Sequence, residues 1–148
     1  MSDKEVVERK LRVLMVEDNQ DRVDNCKVIA RNCRCNIVWA KSAGMAIGML
    51  RRDSGRVYDG IMIDHDLQDQ KITSNDGNFN GKDVAMAVIR YVDKDVPIFV
   101  HSSNSTEAPK IATLLTGAGF SVERMRWCDV KTRDMRDWFG FVRAAAIP

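Results

Sequence analysis

Two short apolar runs of the chain each end in acidic residues. The residues that follow them are Glu17 and Asp18 in one case, and Asp64, His65 and Asp66 in the other. A short apolar run bounded by polar residues is typical of a buried strand, and an unpaired charge is too costly inside such a strand. We therefore expect the carboxylates where the chain leaves the sheet, the edge at which open α/β sheets bind ligands. For a single acidic pair, a simple turn is the alternative, because Asp is a common turn former.

Carboxylates that meet at one sheet edge repel each other, and a hard divalent cation is the usual relief. The expected cofactor is Mg²⁺ (or Mn²⁺), which binds one or two carboxylates and keeps open positions for phosphate oxygens. A further apolar run ends in His101, Ser102 and Ser103. Hydroxyls can donate to a phosphoryl oxygen, and histidine can move a proton near neutral pH. The combination predicts a phosphoryl-handling site.

The elements that must position these residues alternate between strand and helix. The predicted strands are Leu11 to Val16, Cys35 to Ala40, Gly60 to Asp64, Pro97 to His101 and Phe120 to Met125. The alternation predicts a parallel sheet with helices on both faces. Five strands fit the doubly wound order 2-1-3-4-5, which places the first and third strands side by side at a switch point.

The helices follow from apolar spacing and capping residues. They are predicted from Asn19 or Gln20 to Asn32, from Ser42 as N-cap to near Asp53, from Asp83 to Tyr91, from Glu107 to Thr116, and after Thr132 as N-cap. The last helix carries the apolar stripe Met135, Trp138, Phe139 and Val142, which is typical of a core face. The polar segment 68–80 is longer than an ordinary βα loop and is either functional or a tolerated insertion.

Composition limits the remaining possibilities. The chain has 148 residues, 45% of them hydrophobic, and a net charge of +2. Such values indicate a globular domain and carry no strong signal for nucleic acid. No apolar run is long enough for a membrane span, and the N-terminus lacks a signal-peptide core, so the expected location is cytoplasmic. The expected organisation is a polar N-terminal extension, residues 1–10, followed by a single domain, residues 11–148. The four cysteines are expected to be reduced structural thiols.

Four stretches resemble a known family. They are Val16-Glu17-Asp18-Asn19, the strand ending at Asp64, the helix entry Asn80-Gly81-x-Asp83-Val84, and Pro97-Ile98-Phe99-Val100 before Ser102. In these features the chain resembles the CheY-like receiver domain of response regulators over nearly its whole length. The resemblance implies a flavodoxin-like fold with Asp64 as phospho-acceptor. It also implies that Glu17 and Asp18 hold Mg²⁺ together with the backbone carbonyl of Asp66.

Two further motifs narrow the resemblance. Asp64-His65-Asp66-Leu67 and His101-Ser102-Ser103-Asn104 resemble the "DHDL" and "HSxN" signatures of the cyclic-phosphate-processing receiver offshoot. This implies a catalytic set of Asp64, His65, His101 and Ser102, with phosphate bound by Ser102, Ser103, Asn104 and Arg126. The chain departs from ordinary receivers at the end of its fifth strand, where Arg126, followed by Trp127, occupies the place of a Lys-Pro pair.

Three functions remain open at this point. The first is a metal-dependent domain that binds or processes a phosphorylated or cyclic-phosphate small molecule or RNA end. The second is a stand-alone response regulator, phosphorylated on Asp64 by a kinase and docking a partner protein through the helix 4–strand 5–helix 5 face. The third is a pseudo-receiver that acts only through protein contacts. The orientation of His65 and His101 would decide between enzyme and switch.

Overall fold

The computed structural model describes residues 10–64, 80–102 and 108–146. Within these ranges the strands are β1 (Leu11–Val16), β2 (Cys35–Ala40), β3 (Gly60–Asp64), β4 (Ile98–Ser102) and β5 (Val122–Arg126). The helices are α1 (Gln20–Asn32), α2 (Ala43–Arg52), α3 (Gly81–Tyr91), α4 (Ala108–Gly117) and α5 (Thr132–Ala146), and a short 3₁₀ turn, Trp127–Asp129, follows β5. The predicted polar extension and the polar loop lie outside the described residues except for Lys10 and Asn80.

The five strands form one parallel sheet in the order β2-β1-β3-β4-β5. This confirms the predicted doubly wound fold. The order places β1 beside β3, so the two acidic strand ends are neighbours. The register then pairs Val16 with Ile63 and Asp64 with His101. Since parallel strands all end at the same edge of the sheet, Glu17 after β1, Asp64 in β3 and His101 in β4 converge there.

Each face of the sheet buries its own apolar core. One core joins the sheet to α2, α3 and α4, and the other joins it to α1 and α5. The predicted stripe of α5 is buried in the second core, where Met135, Trp138, Phe139 and Val142 are all 5% exposed or less. The prediction that this stripe is core is therefore confirmed.

Gly60 allows α5 to pack closely against β3. A Cβ at this position would lie 2.9 Å from Cγ2 of Val142 and 3.1 Å from Cη2 of Trp138. Both distances are shorter than ordinary van der Waals contact, so any larger residue would push the helix away from the strand. The close approach matters for the site because α5 supports the strand that carries Asp64.

Side-chain caps fix where several helices begin. Asn19 Oδ1 accepts from the backbone N–H of Arg22 at the start of α1, and Ser42 Oγ accepts from Met45 at the start of α2. Asn80 and Asp83 form a capping box on α3, which therefore starts at Gly81, two residues earlier than predicted.

Other predicted boundaries also differ from the structure by one or two residues. Thr132 is not a cap but lies inside α5, because the backbone carbonyl of Lys131 already accepts from Met135. The fifth strand begins at Val122, since the N–H of Phe120 still bonds back to Leu115. The fourth strand begins at Ile98 and extends to Ser102, where it pairs with the last residue of β5.

Candidate metal centre

Glu17 is held in one orientation by the chain around it. It follows β1 directly and is 0% exposed. Its Oε2 accepts from the backbone N–H groups of Asp18 at 3.0 Å and Asn19 at 3.2 Å. Its backbone carbonyl accepts from Nε1 of Trp39, at the end of β2, at 2.7 Å. These bonds fix the position of the carboxylate.

Asp64 and His101 complete a compact group of donor atoms with Glu17. Asp64 and His101 are both 0% exposed. They are paired with each other in the register of β3 and β4. One donor atom from each of the three side chains lies within 4.8 Å of the others. Nε2 of His101 lies 3.8 Å from Oε1 of Glu17. Among the described residues no other group of three or more acidic, histidine or cysteine side chains is arranged in this way.

The electrostatics of Glu17 reflect this crowding. Burial raises the pKa of its carboxyl group, and the neighbouring Asp64 carboxyl raises it further, to about 10, against the lowering effects of the Asn19 N–H and the Arg22 guanidinium. Without a cation the site therefore favours a proton on Glu17 at neutral pH. A divalent cation can replace that proton, because it compensates both carboxylates together. The donor set fits a metal ion for this reason.

Two residues that sequence reasoning missed cover the group. Arg22, on the first turn of α1, places Nη1 3.7 Å from Oε1 of Glu17. Its guanidinium lies over the ring of Trp127, 5.2 Å from the centroid, and the Trp127 ring is 5.0 Å from that of His101. A sequence signal existed for Trp127, an aromatic residue directly after a strand that ends at the ligand edge. Arg22 gives no such signal, because its position depends on how α1 packs.

Asp18 and Arg126, two other predicted site residues, lie outside the group formed by Glu17, Asp64 and His101. Asp18 is half-buried beside Glu17 but is not among the three clustered donors of the described residues. Arg126 is exposed. It follows Met125, which pairs with His101 and packs into the α1–α5 core. Because successive strand residues point to opposite faces, Arg126 leaves the sheet on the face away from that core.

Other predicted site residues cannot be positioned from the described part of the chain. Ser102 is the last residue of β4, and only its backbone belongs to the described structure. His65, Asp66, Ser103 and Asn104 lie outside the described residues. Their roles as catalytic, metal-binding or phosphate-binding residues stay predictions.

The described cysteine side chains lie outside the group formed by Glu17, Asp64 and His101. Cys26, Cys33 and Cys35 are free thiols. Burial raises the pKa of Cys26 to about 12 and that of Cys35 to about 11. Thiolates are the reactive form of cysteine, so these two residues behave as core side chains.

A five-stranded 2-1-3-4-5 sheet with an acidic cluster at the β1–β3 edge defines a receiver-like domain. A family model, the cyclic-phosphate processing receiver domain, matches residues 13–117. The chain therefore belongs to this family. No curated protein matches the sequence at a significant level.

Solved structures of receiver domains share the fold at low sequence identity. A CheY-like receiver domain protein from Methanospirillum hungatei JF-1 has a TM-score of 0.69 and 15% identity, covering 91% of this chain and 94% of its own. The receiver domain of a sensor histidine kinase from Pseudomonas aeruginosa PAO1, solved with magnesium coordinated in its active-site cleft, has a TM-score of 0.66 and 17% identity, covering 91% and 98%. A sensor protein from Polaromonas sp. JS666 has a TM-score of 0.65 and 19% identity, covering 90% and 96%.

Proposed function

We propose that this domain binds Mg²⁺ or Mn²⁺ at the Glu17–Asp64–His101 cluster and there binds or processes a phosphate ester, including cyclic phosphates. The observation that carries the proposal is the fully buried arrangement of two carboxylates and an imidazole within 4.8 Å. The family supports the phosphate class of ligand, and the magnesium in the Pseudomonas receiver structure supports the metal.

Each residue has a defined part in this proposal. Glu17 and Asp64 hold the cation, with Asp18 and the backbone carbonyl of Asp66 as further oxygen donors. The cation supplies Lewis acidity to a phosphoryl oxygen. His101 is a nitrogen donor at the same point, while His65 and Ser102 are the candidates for proton transfer and hydrogen bonding to the ester. Ser103, Asn104 and Arg126 remain candidate phosphate ligands.

Calorimetric titration with Mg²⁺ and Mn²⁺ tests the metal site. Wild type is expected to bind, while Asp64→Asn and Glu17→Gln lose binding because each removes a buried charged ligand without changing its shape. Asp59→Asn is the matched control. Asp59 is also buried, at 4% exposed. It precedes β3 at the opposite edge of the sheet, where its Oδ2 accepts from the backbone N–H of Arg12 at 2.9 Å. Unchanged metal affinity in Asp64→Asn would overturn the assignment.

Incubation with 2′,3′-cyclic nucleotides and with cyclic-phosphate RNA ends tests the ligand class. Metal-loaded wild type is expected to bind or open the cyclic ester, and Asp64→Asn to do neither. His101→Ala separates the roles further, because loss of turnover with retained metal binding would assign the imidazole to proton transfer. Absence of both binding and turnover in wild type would leave the phosphate proposal without support.

The second candidate function is a response regulator phosphorylated on Asp64. The position of Asp64 at the end of β3, beside Glu17, favours it, since nucleophilic carboxylates form aspartyl phosphates next to a bound cation. Acetyl phosphate or beryllofluoride is expected to modify wild type but not Asp64→Asn. An unmodified wild type that binds no metal would favour the pseudo-receiver reading.

We also propose that a protein partner docks at the α4–β5–α5 face. On the β5–α5 side of this face, a groove of about 310 Å³ is lined by the aromatic residues Trp138 and Phe141 and by the acidic residues Glu123, Asp134 and Asp137. This chemistry complements a basic amphipathic segment. An amphipathic Leu/Arg peptide is expected to bind wild type more tightly than Phe141→Ala, while Met86→Ala, similarly exposed at 49% against 51%, is the control. Equal binding of a Leu/Glu peptide would contradict the proposal.

We place the protein in the cytoplasm as a proposal. The free thiols of Cys26, Cys33 and Cys35 are typical of a reducing compartment. Within the described part of the chain, no helix has the length and apolar character needed to span a bilayer.

A further inference from the structure

Four side chains at the site form a closed cycle of contacts. Glu17 Oε1 lies 3.7 Å from Nη1 of Arg22, the Arg22 guanidinium lies 5.2 Å from the ring centroid of Trp127, the Trp127 ring lies 5.0 Å from that of His101, and Nε2 of His101 lies 3.8 Å from Glu17 Oε1. Glu17 and His101 are two of the three metal-ligand candidates. Arg22 and Trp127 are the outer half of the cycle, and both are partly exposed.

Arg22 is the arginine that lies against Glu17. The Arg22 side chain is 21% exposed, and its backbone is fixed by the cap bond from its N–H to Asn19 Oδ1 at 3.1 Å. The cation–π contact with Trp127 holds the guanidinium 5.2 Å from the ring centroid, and the planar fork of arginine, unlike a lysine ammonium, can bind phosphate in a bidentate manner. Arg126 is exposed at the end of β5 and starts from the sheet face away from His101.

We propose that Arg22 is the phosphoryl-binding cation of this site and that it competes with the metal for Glu17. The inference rests on the proposed metal and phosphate site, and it adds Arg22 as the residue that binds the phosphate anion. Without a metal, the guanidinium lies 3.7 Å from Oε1 of Glu17. A metal held by Glu17 would repel the guanidinium, and Arg22 would then be available to donate to the phosphoryl oxygens of the ligand.

The stacking on Trp127 makes this exchange possible over a short distance. The aromatic face keeps the guanidinium beside the site both with and without a metal. Part of the water around the guanidinium is therefore already removed before phosphate binds. Arginine can then donate two parallel hydrogen bonds to a phosphate, which gives direction as well as charge. Trp127 is therefore a positioning residue, and Arg22 is the one that contacts the ligand.

Because Arg22 is proposed to oppose the metal and to bind phosphate, its removal is expected to raise the metal affinity and to lower the phosphate affinity. Arg22→Gln is expected to bind Mg²⁺ or Mn²⁺ alone about threefold more tightly, since the 3.7 Å contact between Arg22 and Glu17 is long and is open to solvent on the arginine side, which makes Arg22 a weak competitor. The same variant, saturated with metal, is expected to bind inorganic phosphate at least about tenfold more weakly, since hydrogen bonds to a charged group are lost. Calorimetry measures both constants. A purely structural role of Arg22 would not move them in opposite directions.

Matched variants separate this proposal from its competitors. Arg31→Gln changes an exposed arginine in the last turn of the same helix and is expected to leave both affinities unchanged. Arg126→Gln tests the strand-end arginine, and a larger loss of phosphate affinity there than in Arg22→Gln would overturn the proposal. Arg22→Lys keeps the charge and is expected to recover only part of the phosphate affinity, because the stacked planar fork is absent.

Tryptophan fluorescence gives an independent readout. Metal binding is expected to change the emission of wild type as Arg22 leaves Glu17, and Trp127→Phe is expected to lose that change while still binding metal. Wild type that binds metal, with Arg22→Gln unchanged in phosphate affinity, would overturn this inference alone. Wild type that binds no metal would overturn the proposed function and this inference together.

Discussion

The raised pKa of Glu17 predicts how stability depends on pH when no metal is present. The folded pKa is raised from 4.5 to about 10 by burial and by Asp64, so between these values the native state holds a proton that the unfolded chain has lost. The unfolding free energy must then decrease as pH rises through this window. The contribution of Glu17 to the unfolding free energy is fully present below pH 4.5, and it is lost progressively as the pH rises to the folded pKa.

The magnitude follows from linkage. One proton per molecule corresponds to a little over 1 kcal/mol per pH unit, so Glu17 accounts for a loss of about 3 kcal/mol between pH 5.5 and 7.5. Because Glu17 is fully buried, solvent screening reduces this value little. Glu17→Gln cannot ionise, and its stability relative to wild type is expected to rise by the same amount over that interval.

Urea unfolding in the presence of a chelator, at pH 5.5, 6.5 and 7.5, measures the effect in wild type and Glu17→Gln. Subtracting the two curves removes the titration of every group that does not interact with Glu17. Saturating Mg²⁺ or Mn²⁺ is expected to remove the unfavourable slope of wild type and to leave Glu17→Gln unaffected, since the cation replaces the proton. Equal pH slopes in the two proteins without metal would refute the assigned protonation of Glu17.

Three further predictions concern packing and local structure. Gly60→Ala is expected to lower the unfolding free energy by about 1–3 kcal/mol through contact with Val142, while Gly48→Ala, on α2 with open space around it, is expected to raise it by up to about 1 kcal/mol. Urea unfolding checks both. Asn80→Ala removes the capping box of α3 and is expected to cost about 1 kcal/mol, and an unchanged unfolding midpoint would contradict it. Cys26, with its pKa raised to about 12, is expected to resist maleimide in the folded protein, and modification as fast as in urea would show otherwise.

The sequence predicted those site residues whose positions follow from the order of the strands. Apolar runs that end in Glu17 and Asp64 are local signals, and the alternation of strands and helices gives the order that makes them neighbours. His101 was included because the strand that carries it pairs with β3. These three residues meet because a parallel sheet brings the ends of its strands to one edge.

What the sequence could not predict depends on tertiary packing. Arg22 is five residues from Glu17 and resembles any solvent-facing residue of α1, and only the packing of that helix turns it towards Trp127. Arg126 was expected to take the place of a lysine, and this stays a prediction, because the structure shows Arg126 only as an exposed residue paired with Ser102 at the end of β5. Thr132 has the composition of a cap, yet the first helical bond is accepted one residue earlier, at Lys131.

The nitrogen donor of His101 leads to a prediction that separates the two candidate metals. Mg²⁺ prefers an all-oxygen octahedral shell, whereas imidazole is a better ligand for transition metals than for Mg²⁺. With His101 held 3.8 Å from Glu17 Oε1, the site is expected to bind Mn²⁺ more tightly than Mg²⁺. His101→Asn offers an oxygen donor in a similar volume and is expected to weaken Mn²⁺ binding more than Mg²⁺ binding.

Parallel titrations of the two metals into wild type and His101→Asn measure this ratio directly. Phe99→Leu is the control, because its ring packs against His101 at a centroid distance of 6.2 Å but offers no donor, so any change in the ratio there reports repacking alone. A ratio that stays the same in His101→Asn would place the imidazole outside the metal's ligands. His101 would then be available for proton transfer, and the function of the domain would shift from metal-held binding towards acid–base catalysis on the phosphate ester.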